Sequence, residues 1–94
     1  MGMNNTSYRL KNSQDVNITG TSAQSAAFGD QCRVIRVKST GEARILIGSN
    51  PTATSTSILI MTGDTEYFSV NPGEKIAVIR EGSSSGKVNI SEND

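Results

Sequence analysis

The side chains able to carry acid–base or nucleophilic chemistry are few in this chain. It has no histidine, which removes Ser-His and Cys-His relays, imidazole metal sites and histidine acid–base catalysis. The carboxylates left for such work are Asp64 and Glu66, two positions apart around a turn, with Glu74 and Glu81 further on. Their spacing is not that of a calcium loop, and no second acidic cluster supports them, so they read as solvated charges. Cys32 is the single cysteine. No intrachain disulfide can form, nothing nearby would activate a thiolate, and the residue reads as a small core hydrophobe. The glycine- and serine-rich stretch 82–86 lacks the lysine and following helix of a phosphate loop and reads as a linker. No catalytic residue, cofactor or metal is expected.

These residues sit in a chain patterned for strands. Gln31-Cys32-Arg33-Val34-Ile35-Arg36-Val37-Lys38, the turn cluster Ser39-Thr40-Gly41 and Glu42-Ala43-Arg44-Ile45-Leu46-Ile47 read as one β-hairpin. Ala43, Ile45 and Ile47 share one face of the second limb, with Glu42 and Arg44 on the other. Tyr67-Phe68-Ser69-Val70, Asn71-Pro72-Gly73 and Glu74 to Arg80 repeat the grammar, with Pro-Gly suited to the centre of a type II turn. In the strand after it, Ile76 and Val78 face one way and Ala77 and Ile79 the other, as a central strand would. Ser57-Ile58-Leu59-Ile60-Met61 is a short, continuously apolar strand, buried on both faces or pressed against something else. Val88 and Ile90 alternate in the last strand, and residues 92–94 are expected to fray. Residues 48–57 form a long loop of turn formers, a place where function often resides.

Residues 1–30 carry only Tyr8, Leu10, Val16, Ile18 and Phe28 as large apolar groups, so they read as a polar, extended N-terminal arm with candidate edge strands. Residues 31–94 read as the domain proper. The fold class expected is all-β: an antiparallel β-sandwich, jelly-roll-like or Ig-like, of about 6–8 strands. Its expected core is Ile45, Ile47, Phe68, Val70, Ile76, Val78, Val88 and Ile90.

Nine basic residues balance nine acidic ones in 94. Neutrality argues against nucleic acid as partner, although Arg33, Arg36, Lys38 and Arg44 crowd one predicted hairpin. No apolar run is long enough to span a membrane, and the N-terminus lacks a signal-peptide plan. The loose myristoylation match at Met1-Gly2 and the sequons at Asn4, Asn5, Asn17 and Asn89 are what a chain rich in Asn, Ser and Thr produces by chance.

Three stretches carry a family resemblance: Arg33-Val34-Ile35-Arg36-Val37, Ala43 to Ala53 with its Ile47-Gly48-Ser49-Asn50-Pro51-Thr52, and Phe68-Ser69-Val70-Asn71-Pro72-Gly73-Glu74-Lys75-Ile76-Ala77-Val78-Ile79. Together they resemble the small β-sandwich structural proteins of tailed bacteriophage virions. The resemblance implies a capsid decoration or cement protein that binds the major capsid protein, made in the host cytoplasm and carried on the capsid surface. Its alternatives are a neck or tail component, or a carbohydrate- or protein-binding module. Self-association as a small cyclic oligomer such as a trimer is expected. The candidate partner interface is Tyr8, Leu10, Val16 and Ile18 of the arm, laid along a partner's strand edge, with Ile58, Leu59 and Met61 of the apolar run.

Overall fold

The computed structural model describes residues 10–93, with side chains from 13 to 92. Its eight strands are β1 (Leu10–Ile18), β2 (Ala23–Gln24), β3 (Val34–Ser39), β4 (Ala43–Gly48), β5 (Ile58–Ile60), β6 (Thr65–Ser69), β7 (Lys75–Arg80) and β8 (Gly86–Asn93). No helix occurs among the described residues. The strands form two four-stranded sheets in the orders β1-β8-β3-β6 and β2-β7-β4-β5, and every pairing is antiparallel. First pairs with last, second with seventh, third with sixth and fourth with fifth. The chain is thus one long antiparallel ribbon folded over into two facing sheets, the jelly-roll arrangement.

Period-two alternation decides which side chains meet between the sheets. From the first sheet come Val16, Ile18, Ile35, Val37, Val88 and Ile90, and from the second Ala43, Ile45, Ile60, Ile76 and Val78, all buried. Phe28, Cys32 and Val70 close the ends, and Ile47 and Phe68 pack against this core while only partly buried. Of the eight expected core residues, six are buried in it, and Ile47 and Phe68 lie at its margin.

Both expected hairpins are corrected. β3 and β4 lie in opposite sheets, as do β6 and β7, so the turns between them are arches that carry the chain across the sandwich. The turn chemistry itself is as read: Gly73 has φ 83 and Glu74 N–H donates to the Asn71 carbonyl at 3.2 Å, the geometry of a type II turn. What differs is the partner, because β3 is already flanked by β8 and β6. The β3–β4 arch lies flush on the β7–β8 connection, where a Cβ on Gly41 would overlap the Ser85 carbonyl oxygen.

The candidate edge strands of the arm are present as β1 and β2, at the edges of the two sheets, but they belong to the sandwich and are not an arm apart from it. β1 pairs with β8 from Ser13↔Ser91 to Ile18↔Gly86, and Val16 and Ile18 are buried in the shared core. Composition hides this because an edge strand with one solvated face needs only every second residue to be apolar. Residues 25–28 continue along β7: Ser25 N–H donates to the Ile76 carbonyl and Phe28 N–H to that of Glu74, while Ser25 Oγ accepts from Ile76 N–H at 3.0 Å. Nor does the C-terminus fray where expected, since Glu92 is buried within β8 and its Oε1 accepts from Gly29 N–H at 3.0 Å.

Candidate interaction surface

The apolar run at β5 is the most unusual part of the surface. Ile60 points inward and is 1% exposed, but Ile58 is 51%, Leu59 41% and Met61 44% exposed, and Leu46 of the adjacent β4 is 40% exposed. The pairing explains the pattern. Ile58 lies opposite Ile45 on the inner face but at the open end of an edge strand, while Leu59 lies opposite Arg44 on the outer face. Two of the three β5 side chains, Met61 just after them and Leu46 on the adjacent strand are therefore left half in water, more apolar surface than isolated exposed residues would give.

Arg44, which sits between Leu46 and Leu59, does not break the patch with a free charge. Its Nε donates to Glu81 Oε1 at 3.0 Å and its Nη1 to the Ser57 carbonyl at 3.0 Å. The guanidinium is spent on tying β4 to neighbouring loops, and the aliphatic stem extends the patch. At the end of β5, Asp64 Oδ2 accepts from Met61 N–H at 2.9 Å and Asp64 N–H returns to the Met61 carbonyl at 3.0 Å. This arch fixes Met61 where it is exposed.

The long loop at residues 48–57 is pinned instead of free. Gln24 Nε2 donates to Asn50 Oδ1 at 2.9 Å and to the Pro51 carbonyl at 2.8 Å, and Ala53 N–H donates to Ser22 Oγ at 2.9 Å. The loop leaves β4, crosses to the β2 side with Pro51 and Ala53 buried, and returns to β5. It lies on the β2 side of the second sheet's outer face, where Ala77, paired with Gln24, is fully buried although its side chain points away from the core.

Of the expected interface residues, Ile58, Leu59 and Met61 stand together at the surface. Val16 and Ile18 do not join them: they are sealed against β8, and their place along a partner's strand edge is taken by the chain's own sheet. Leu10 begins β1, with its side chain outside the described residues, and Tyr8 lies outside them altogether. Leu46 was missed although alternation already set it on the face of Arg44. The predicted basic cluster is split, with Arg36 and Lys38 on the outer face of the first sheet and Arg44 on that of the second.

The carboxylates singled out in the sequence, Asp64, Glu66, Glu74 and Glu81, do not gather into one site. Asp64 caps β5, Glu74 Oε1 accepts from Asn71 N–H at 2.8 Å, and Glu81 pairs with Arg44. Among the described residues no group of His, Cys, Asp or Glu could hold a metal ion. A shallow polar cleft of about 460 Å³ at one end is lined by Thr40, Glu42, Thr62, Glu81 and the 82–85 connection. No known protein family and no curated protein gives a significant match to the chain.

Proposed function

We propose that this chain is a non-catalytic assembly module that docks onto protein through the β5 edge and the apolar residues around it. In its specific form the proposal is a capsid decoration or cement protein of a tailed bacteriophage, seated on the major capsid lattice. The observation that carries the docking reading is the concentration of Leu46, Ile58, Leu59 and Met61, each 40% exposed or more, on one edge. The other edges have protective features. β6 places the exposed Glu66 among its inward-facing residues, opposite Val37, a charge that discourages strand addition. On β1, Gln14 is hydrogen-bonded to the backbone of Ala26 just past β2, and β2 is tied to the 48–57 loop through Gln24. β5 has no charge and no proline. The capsid assignment draws its support from the resemblance of the Asn-Pro-Gly and Gly-Ser-Asn-Pro strand ends to virion sandwich proteins.

Replacing Leu59 and Met61 together by Lys tests the docking reading. The variant should fold, because neither side chain belongs to the core, and should lose particle binding in a capsid co-sedimentation assay. Retained binding would move the interface elsewhere. Quantifying the chain in purified particles tests the capsid assignment: a copy number matching the lattice supports decoration, and a single ring's worth points to neck or tail.

A further inference from the structure

β5 ends the second sheet. It pairs with β4, and no strand lies on its other side among the described residues. Its neighbours in sequence bound the free edge. Ser57 N–H donates to the Thr54 carbonyl and the Ser57 carbonyl accepts from Arg44 Nη1, each at 3.0 Å. Met61 N–H donates to Asp64 Oδ2 at 2.9 Å, and the Met61 carbonyl accepts from Asp64 N–H at 3.0 Å. The unclaimed edge is therefore Ile58–Ile60, three residues centred on Leu59, without charge or proline. Such an edge presents backbone N–H and C=O groups that template pairing with another chain. A long strand from another protein would run past both ends of this window and meet groups already engaged. A strand equally short and bounded in the same way fits it, and this chain supplies one.

We propose that two copies of the chain pair β5 with β5, antiparallel, about a two-fold axis normal to the sheet at Leu59, and so join their four-stranded second sheets into one. The register follows from parity. Residues opposite each other in an antiparallel pair share a face, so the axis passes through a residue position. Leu59 against Leu59, with Ile58 against Ile60, is the register that keeps all three residues of each window paired. Charge does not oppose the contact. The chain has nine basic and nine acidic residues, so two copies meet without net repulsion, and beside the patch Arg44 and Glu81 neutralise each other at 3.0 Å. The first sheets do not follow, because their edge on this side is β6, whose exposed Glu66 would meet its own copy. The inference rests on the docking reading above and completes its surface. The exposed parts of Leu46, Leu59 and Met61 amount to about 250 Å² on one copy, less than the largest apolar patch of an ordinary monomer. With the axis normal to the sheet, both sets lie on one outer face and together approach about 500 Å², roughly the apolar share of the 800 Å² or so that each partner gives to a standard interface. The docking surface is incomplete without the second copy.

Sedimentation of the full chain from micromolar to millimolar concentration should show a reversible monomer–dimer equilibrium. Leu59→Lys sets like charges opposite each other at the axis and should raise the dissociation constant by about tenfold or more. Under oxidising conditions Leu59→Cys should cross-link to its counterpart, since directly opposed residues have Cα atoms about 4.5–5.5 Å apart, within reach of a disulfide. Leu46→Cys, as exposed but on the adjacent strand, should not. Monomer alone up to millimolar concentration, a trimer, a dimer that Leu59→Lys leaves intact, or equal cross-linking at the two positions would overturn the dimer. If Leu59→Lys does not fold, cross-linking and the sedimentation of the unaltered chain decide. Particle binding separates this inference from the docking reading. Leu46→Lys should keep the dimer and weaken particle binding by about tenfold. A monomeric chain that binds particles through Leu46, Leu59 and Met61 would overturn the dimer and leave the docking reading standing, whereas a dimer whose particle binding Leu46→Lys does not weaken would overturn the shared patch.

Discussion

On the β1/β2 side of the sandwich, Gln14 reaches across the seam between the sheets. Its Oε1 accepts from Ala26 N–H at 2.9 Å and its Nε2 donates to the Ala26 carbonyl at 3.3 Å, so one amide side chain pairs with a backbone as a strand would. Next to it, Ser25 and Phe28 prolong the pairing with β7, and Gln24 and Ser22 hold the long loop in place. On the β5/β6 side the edge strands are joined by the short arch at Met61 and Asp64, and Ile58, Leu59 and Met61 are left half in water. The two sides have the same backbone topology and differ in their side chains. Polar residues that mimic backbone close one seam, and apolar residues without such partners leave the other open to solvent.

Removing a strand from the closed side is the harshest way to break this comparison. Deleting residues 10–18 takes Val16 and Ile18 from the core and uncovers Val88 and Ile90, so the truncated chain should lose its cooperative thermal transition and its dispersed NMR spectrum. A truncated chain that still melts cooperatively would make β1 a detachable arm after all. Paired truncations of one residue type come next. Ile76→Ala, at a fully buried site, should cost about 2–5 kcal/mol, while Ile58→Ala, 51% exposed, should cost about 1 kcal/mol or less; urea melts of the two give the contrast directly. Ser25→Ala strips the acceptor from the buried Ile76 N–H and should cost about 1–3 kcal/mol, with faster amide exchange at Ile76 as the sharper readout. Least of all is expected from Glu81→Gln. The Arg44–Glu81 pair is partly solvated, at 24% and 37% side-chain exposure, and its loss should cost under about 1 kcal/mol in melts at low salt.

Much of this could be read from residue order. Alternation set Ile45, Ile76, Val78, Val88 and Ile90 inward, and Pro72-Gly73 announced its turn. The sheet to which each strand belongs was not legible, because Ser39-Thr40-Gly41 reverses the chain equally well into a hairpin or across a sandwich. That choice is made by competition for β3's edges, which β8 and β6 win from distant parts of the sequence. β1 was hidden for a related reason: Val16 and Ile18 bring too little apolar area to suggest a core until Val88 lies beside them. Of the candidate site, Ile58, Leu59 and Met61 stood out by their unbroken apolarity. Leu46 did not, since its place in the patch depends on which strand lies beside β4.

The pairing of first strand with last also governs how the chain comes into being in time. Asp15 and Asn89, hydrogen-bonded across β1 and β8, are 74 positions apart, so the first strand has no neighbour in its sheet until β8 has left the ribosome. Contacts this far apart in sequence slow folding into about the millisecond-to-second range. During that interval β4, its loop and β5, the one pair of sheet neighbours consecutive in the chain, can form early, while Val16 and Ile18 wait in water. The emergence of β8 is thus the event that encloses the first strand, and pulse-labelled amide exchange during refolding should find Val16 protected later than Ile45.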